Sequence, residues 1–175
     1  MDCHYIEVGV KHYGQFYAIY TMPNIKPMNV AIYCREKKPE SLQVYLNPLV
    51  EELNVLIQQG VSLGSPPTTV FINVRAFVCD SPARSFIKGV TSHVAKHGCL
   101  KFTVVGYHHP ISRTTCFPGT NARLRTDAEF CNYAYGEHHK EPTPLMRLKN
   151  FDLIKDVIIA DELHLMHLGV QRKML

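Results

Sequence analysis

The sequence predicts a mixed α/β domain in which a sheet that begins antiparallel carries packed helices. Three observations predict it. Two strand-like runs, QFYAIY at 15–20 and NVAIYC at 29–34, are joined by TMPNIKP, whose two prolines and asparagine are turn residues. Apolar residues then recur at 42, 46, 49, 50, 53, 56 and 57, the spacing of a helix with one apolar face. Finally TTVFINVRAFVC, 68–79, is nearly continuous in β-branched and aromatic residues and ends at Asp80.

Taken in order, Tyr5 to Val10 is a less clear first strand. REKKPES is a charged connection before the helix. Ser41 serves as that helix's N-cap with Pro48 as a kink, or Asn47 caps it with Pro48 at the first helical position; both are open. Gly60 is the stop and GVSLGSPP a loop. The 71–79 run is expected to be a central strand flanked by 15–20 and 29–34, because so apolar a strand at an edge invites aggregation. Ser81 and Pro82 start a helix expected to reach Lys96, and Lys101 to Val105 reads as a short strand. From 106 to about 160 periodicity is weak and Pro, Gly and paired His are common, so an irregular, partly helical insertion is expected. A last helix begins near Asp161.

With 175 residues, 46% apolar and 19% charged, the chain is long enough for one domain with a real core and is not of disordered composition. Its apolar runs fall short of the roughly 20 residues that span a bilayer, and MDCHYIEVGVKHYG lacks the pattern of a signal peptide. No membrane partner is expected. Six cysteines without a C-x-x-C pair read as free buried thiols. A formal charge of +4 is compatible with nucleic acid, but no stretch is densely basic and there is no Trp. P-loop, G-x-G-x-x-G, H-E-x-x-H and G-x-S-x-G patterns are absent, which removes support for nucleotide-dependent and serine-hydrolase chemistry.

Asp80 is the first chemical candidate. A carboxylate at the C-terminal end of a buried strand lies where open sheets place ligands, and converging carboxylates hold the metal pair of phosphodiester cleavage. The plainer reading makes it the cap of the next helix, and the residues alone favour that reading. Asp161, His164 and His167 follow at three-residue steps, and the favoured reading is structural: Asp161 as N-cap, the histidines packed or half-buried. EHHKE, 137–141, is an ordinary surface cluster. In RLRTD, Arg123 and Arg125 stand near Asp127, for a phosphate or for an internal ion pair.

The chain resembles transposase-domain proteins derived from DNA transposons, relatives of the CACTA-type transposases common in insects. The matching segments are QFYAIY (15–20), IYCREKKPES (32–41), VEELNVLIQQGV (50–61), FVCDSPARSFIKG (77–89), HGC (97–99), FP (117–118), ARLRTDAEF (122–130), EHHKEPTPL (137–145) and ADELHLMHLGVQRKML (160–175). The resemblance implies a ribonuclease-H-like fold, opening with three antiparallel strands, a helix and a strand ending in a carboxylate, and an Asp, Asp, Glu triad with Mg²⁺. It assigns the second Asp to Asp80. The first belongs to an Asp-Gly segment that this chain lacks; Asp2, two residues out of register, is the nearest candidate. Where the family has Cys-x-x-Cys, this chain has Cys99-Leu-Lys-Phe102.

The expectation is therefore an incomplete ribonuclease-H-like α/β core over 1–105, an irregular insertion over 106–160 and the start of a helix over 161–175. The expected function is a transposase remnant that does not cleave DNA alone. The alternatives are a metal-dependent nuclease completed by missing segments, and a domesticated DNA- or protein-binding module. Asp80 and Asp2 are the catalytic candidates. Lys88, Arg123 and Arg125 are the DNA contacts. Asp80, His93, His97 and Cys99 are the metal candidates. No stable zinc is expected at Cys99 and no tightly held Mg²⁺. DNA held weakly, self-association or a related transposase chain are the expected partners, and the nucleus the expected location.

Overall fold

The structure is a computed structural model that describes residues 4–11, 15–20, 28–32, 39, 41–119, 121–157 and 174, with the backbone alone for 4–32. It is a mixed α/β fold. Strands β1 (His4–Lys11), β2 (Gln15–Tyr20) and β3 (Met28–Ile32) pair antiparallel in chain order. Helix α1 (Leu42–Gln59) follows, then a small hairpin of β4 (Val61–Leu63) and β5 (Thr68–Val70), then β6 (Ile72–Cys79). The larger sheet has the order β3-β2-β1-β6, with β6 parallel to β1.

Three expectations are corrected here. The apolar run 68–79 is not one strand: it breaks at Phe71, and its first residues pair with β4 inside the segment expected to be a loop. Nor is β6 flanked by 15–20 and 29–34. It pairs with β1 and closes the row among the described residues. Its outer edge is covered instead, since Phe77 N–H donates to the Asp156 carbonyl at 2.9 Å and Phe151 meets the Phe77 ring edge-on at 5.3 Å. That cover resolves the objection to an apolar edge strand.

A bulge decides which side chains β6 buries. The register with β1 steps from Ile6↔Val74 to Glu7↔Ala76, so Arg75 is the extra residue. Strict alternation would turn Val74 and Phe77 to opposite faces. The bulge restores Ile72, Val74, Phe77 and Cys79 to one face, and all four lie in the main core.

The apolar stripe of α1 fills that core with Leu42, Leu46, Leu49, Val50 and Leu53. Ser41, not Asn47, is the cap: its Oγ accepts from Val44 N–H at 3.3 Å, and Pro48 sits inside the helix. The polar edge of α1 grips the later chain. Asn54 Nδ2 donates to the Arg147 carbonyl and Asn54 Oδ1 accepts from Lys149 N–H, each at 2.9 Å. Leu145, Leu148, Leu153, Ile154 and Val157 thereby join the same core.

Helix α2 (Ser81–Ile87) ends nine residues before Lys96, where it was expected to end. Gly89 at φ +63° stops it, and its carbonyl accepts from both Lys140 and Glu141 N–H, at 2.9 and 3.0 Å. No strand forms over 101–105; Phe102 makes a single bridge with Leu124. The rest is irregular: a two-residue ladder of β7 (Tyr107–His108) and β8 (Thr115–Cys116), the short helix α3 (Asp127–Cys131), and 3₁₀ turns at Gly136–His138 and Pro144–Arg147. Cys79 is buried, whereas Cys99, Cys116 and Cys131 are free thiols and only half-buried. The helix expected from Asp161, with His164 and His167, and the cysteines at 3 and 34 lie outside the described residues. No helix among the described residues is long and apolar enough to cross a membrane.

Candidate functional site

Asp80 follows the last residue of β6 and is the N-cap of α2. Its Oδ1 accepts from Ala83 N–H at 2.8 Å, answering one of the donors a helix start leaves open. One turn on, Arg84 N–H reaches the Asp80 carbonyl at 2.9 Å, and Arg84 Nη2 donates to Ser81 Oγ at 2.8 Å. Replacing Asp80 by Ala is expected to lower stability by about 1 kcal/mol through the lost cap, and Asp80→Asn by much less. Urea unfolding of the three proteins checks this, and an alanine variant as stable as wild type contradicts the capping role.

Asp2, the second catalytic candidate, lies outside the described residues. The carboxylate that β1 itself carries is Glu7, in register with Ala76.

Of the metal candidates, His93 and Cys99 line one cleft, described below. His97 Nε2 pairs with Glu137 Oε2 at 2.9 Å. Cys99 Sγ accepts from Phe102 N–H at 3.3 Å, and the Cys99 carbonyl accepts from Arg125 Nε at 3.1 Å. Among the described residues no group of three or more His, Cys, Asp or Glu gathers to hold an ion. A Mg²⁺ pair wants carboxylates from at least two places; here Asp80 offers one carboxylate, with an oxygen already bonded to a helix start. The described residues do not fit that group.

Two of the three expected DNA contacts are interior. Lys88 is 1% exposed; its Nζ has no hydrogen-bond partner and lies 5.3 Å from the centre of the Phe130 ring. Burial, then the charges of Arg125 and Arg84, bring its pKa down to about 7 against the pull of Asp152 and Asp127. Arg125 is buried over the Tyr135 ring at 4.4 Å. Arg123 is exposed but ion-paired with Glu129 at 2.8 Å, not with Asp127, whose Oδ1 accepts from Leu153 N–H.

The EHHKE cluster is likewise not all surface. His138 is fully buried, its Nδ1–H donating to the His97 carbonyl at 2.6 Å, and burial is the main cause of a pKa near 4. His139 stacks on Tyr135 and tilts against Phe130 and Tyr133.

What the residue-by-residue search missed is a cleft of about 310 Å³ beside α2, lined by Arg84, His93, Gly98, Cys99, Leu100, Lys101, Phe102, Phe117, Ile154 and Val157. A signal for it exists in the sequence. From Ser81 to Thr126 there is no Asp or Glu at all, against seven Lys or Arg and four His. The rest of the chain has 12 basic and 15 acidic residues. The stretch is sparse in bases but empty of acids, which a search for dense basic runs passes over.

Comparison of the chain with known protein families, characterised proteins and solved structures finds no match.

Proposed function

We propose that this chain is a core portion of a transposase-type nuclease of the ribonuclease-H-like kind, and that by itself it does not cut DNA. The observation that supports it best is the sheet: β1, β2 and β3 antiparallel, then α1, then β6 parallel to β1 with Asp80 following its C-terminal end. The transposon resemblance implies three antiparallel strands, a helix and then a strand ending in a carboxylate, and the described elements are compatible with that order. The inactive half of the reading rests on Asp80 Oδ1 serving as a cap, with no second carboxylate gathered beside it among the described residues. Loose attachment to DNA, association with a related transposase chain and a nuclear location belong to the same proposal.

A nicking assay on supercoiled plasmid tests it. Wild type and Asp80→Ala are both expected to leave the plasmid intact with Mg²⁺ or Mn²⁺. Metal-dependent nicking by wild type that disappears in Asp80→Ala overturns the inactive reading and makes Asp80 catalytic.

A further inference from the structure

We infer that the cleft beside α2 takes an unpaired base of single-stranded nucleic acid, held between aromatic rims with its phosphates on the basic side chains around it. The inference rests on the nucleic-acid side of the function proposed above, and it moves the contact surface away from Lys88 and Arg125.

The cleft is built for a flat, anionic ligand. Its apolar lining comes from Leu100, Ile154 and Val157. Phe102 and Phe117 also line it and remain 38% and 36% exposed, so two aromatic rings are left unburied in one place. Aromatic rings that stay half in water beside a concave wall are the usual platform for a base, whose π-face stacks regardless of sequence. Phe117 packs close on Gly106: a Cβ there would fall 2.9 Å from the Phe117 ring, so glycine lets the ring lie against the backbone without shifting. The bridge from Phe102 to Leu124 fixes the other rim.

Charge selects the partner. Arg84, His93 and Lys101 line the cleft, and no described lining residue is acidic. His93 stands in the cleft wall, its Nδ1 buried without a hydrogen-bond partner. The acid-free stretch continues beyond the cleft. Lys96, whose carbonyl accepts from Gly106 N–H, and Arg113 beyond β7 are both exposed. A cleft of this size, at the lower end of the usual range of about 300–1,000 Å³, admits one base. The cations outside it suit a backbone that runs on, which favours a strand over a free nucleotide. Duplex DNA buries its base faces in the stack and presents no ring to Phe102 or Phe117.

The test is fluorescence anisotropy of the full chain with three labelled probes: a short oligothymidylate, the same backbone with abasic sites at its centre, and a duplex of equal length. Each is titrated at low and high salt, with unlabelled thymidine monophosphate as a competitor. Phe102→Leu and Phe117→Leu, singly and together, remove the rims at exposed positions, and circular dichroism checks that they fold. Lys101→Gln removes one cation. The expected result is that wild type prefers oligothymidylate to the abasic strand by about tenfold. The double Leu variant should lose that preference while keeping its affinity for the abasic strand, and Lys101→Gln should weaken both and flatten the salt dependence by about 0.7 in slope.

Oligothymidylate affinity unchanged in the Leu variants overturns this inference while leaving the proposed function standing. So does a preference for the duplex. Displacement by thymidine monophosphate at concentrations near those of the oligonucleotide makes the ligand a free nucleotide and overturns it too. Absence of binding to all three probes overturns the inference together with the nucleic-acid side of the proposed function.

Discussion

Lys88→Met is expected to be more stable than wild type by about 1–4 kcal/mol at pH 6, with the gap closing as pH rises. Lys88 Nζ has no hydrogen-bond partner and sits on the face of Phe130 with Arg84 and Arg125 as like charges nearby. Asp127 and Asp152 offset part of that cost without bonding to it. Its pKa falls from 10.5 to about 7 on folding, so between those values the unfolded chain holds a proton that the folded chain has lost. Unfolding free energy therefore climbs with pH across that window, by about 1.4 kcal/mol per unit at most. Below pH 7 both states are charged and the burial cost is felt in full; above 10.5 both are neutral and it is gone. Methionine fills the same space without the charge, so its curve lacks the climb. His138, with a folded pKa near 4, contributes a separate rise between about 4 and its ordinary value of 6.5, in both proteins. Urea unfolding at pH 6 and pH 9.5 measures the difference. A gap of equal size at the two pH values, or a variant less stable at pH 6, contradicts the account.

Gly89→Ala is expected to cost about 3 kcal/mol or more, a loss seldom caused by adding one methyl group. Two effects act together. At φ +63° a side chain strains the backbone by about 1 kcal/mol. The new Cβ would also stand 2.2 Å from the Glu141 carbonyl oxygen, and that oxygen belongs to backbone rather than to a side chain that can swing away. Relief requires the 140–141 segment to back off, breaking the bonds from Lys140 and Glu141 N–H to the Gly89 carbonyl. Gly119, at φ +92° with nothing near its Cβ position, is the control: Gly119→Ala carries the strain without the clash. Thermal unfolding of both variants separates the effects, and equal losses at the two positions would show that the close approach at Gly89 does not matter.

The parts of this fold legible in the sequence are those with a sustained period. Helix α1 declares itself through seven apolar positions on one face, and strands β2 and β3 through short apolar runs on either side of a proline-containing link. The end of β6 at Asp80 was legible for the same reason, as the abrupt close of an apolar run. What escaped depends on single residues whose effect is three-dimensional. Arg75 bulges because β1 and β6 pair out of step there, and nothing local announces it. Gly89 ends α2 through a backbone contact with residues some fifty positions on, which no local pattern before Lys96 announces. His138 looks like a surface residue in EHHKE until Phe130 and Tyr135 are seen around it. For the candidate site, Asp80 was found, and its capping bond was the plainer of its two readings. The cleft was not, because its Phe102 and Phe117 belong to separate irregular segments and its clearest mark is a missing residue type.

The seal on β6 has a consequence for synthesis. Phe77 N–H is closed off by the Asp156 carbonyl, and Phe77 itself is covered by Phe151, both far later in the chain. At about 5–20 residues per second, a ribosome makes Asp156 roughly 4 to 16 s after Phe77. Throughout that interval the nascent chain carries an open strand edge rich in Val, Ala and Phe, the kind of surface that recruits a neighbouring chain or a chaperone. A transcript cut short before Leu153 would leave that interval without an end, so the hazard of a truncated product here is aggregation as well as lost function.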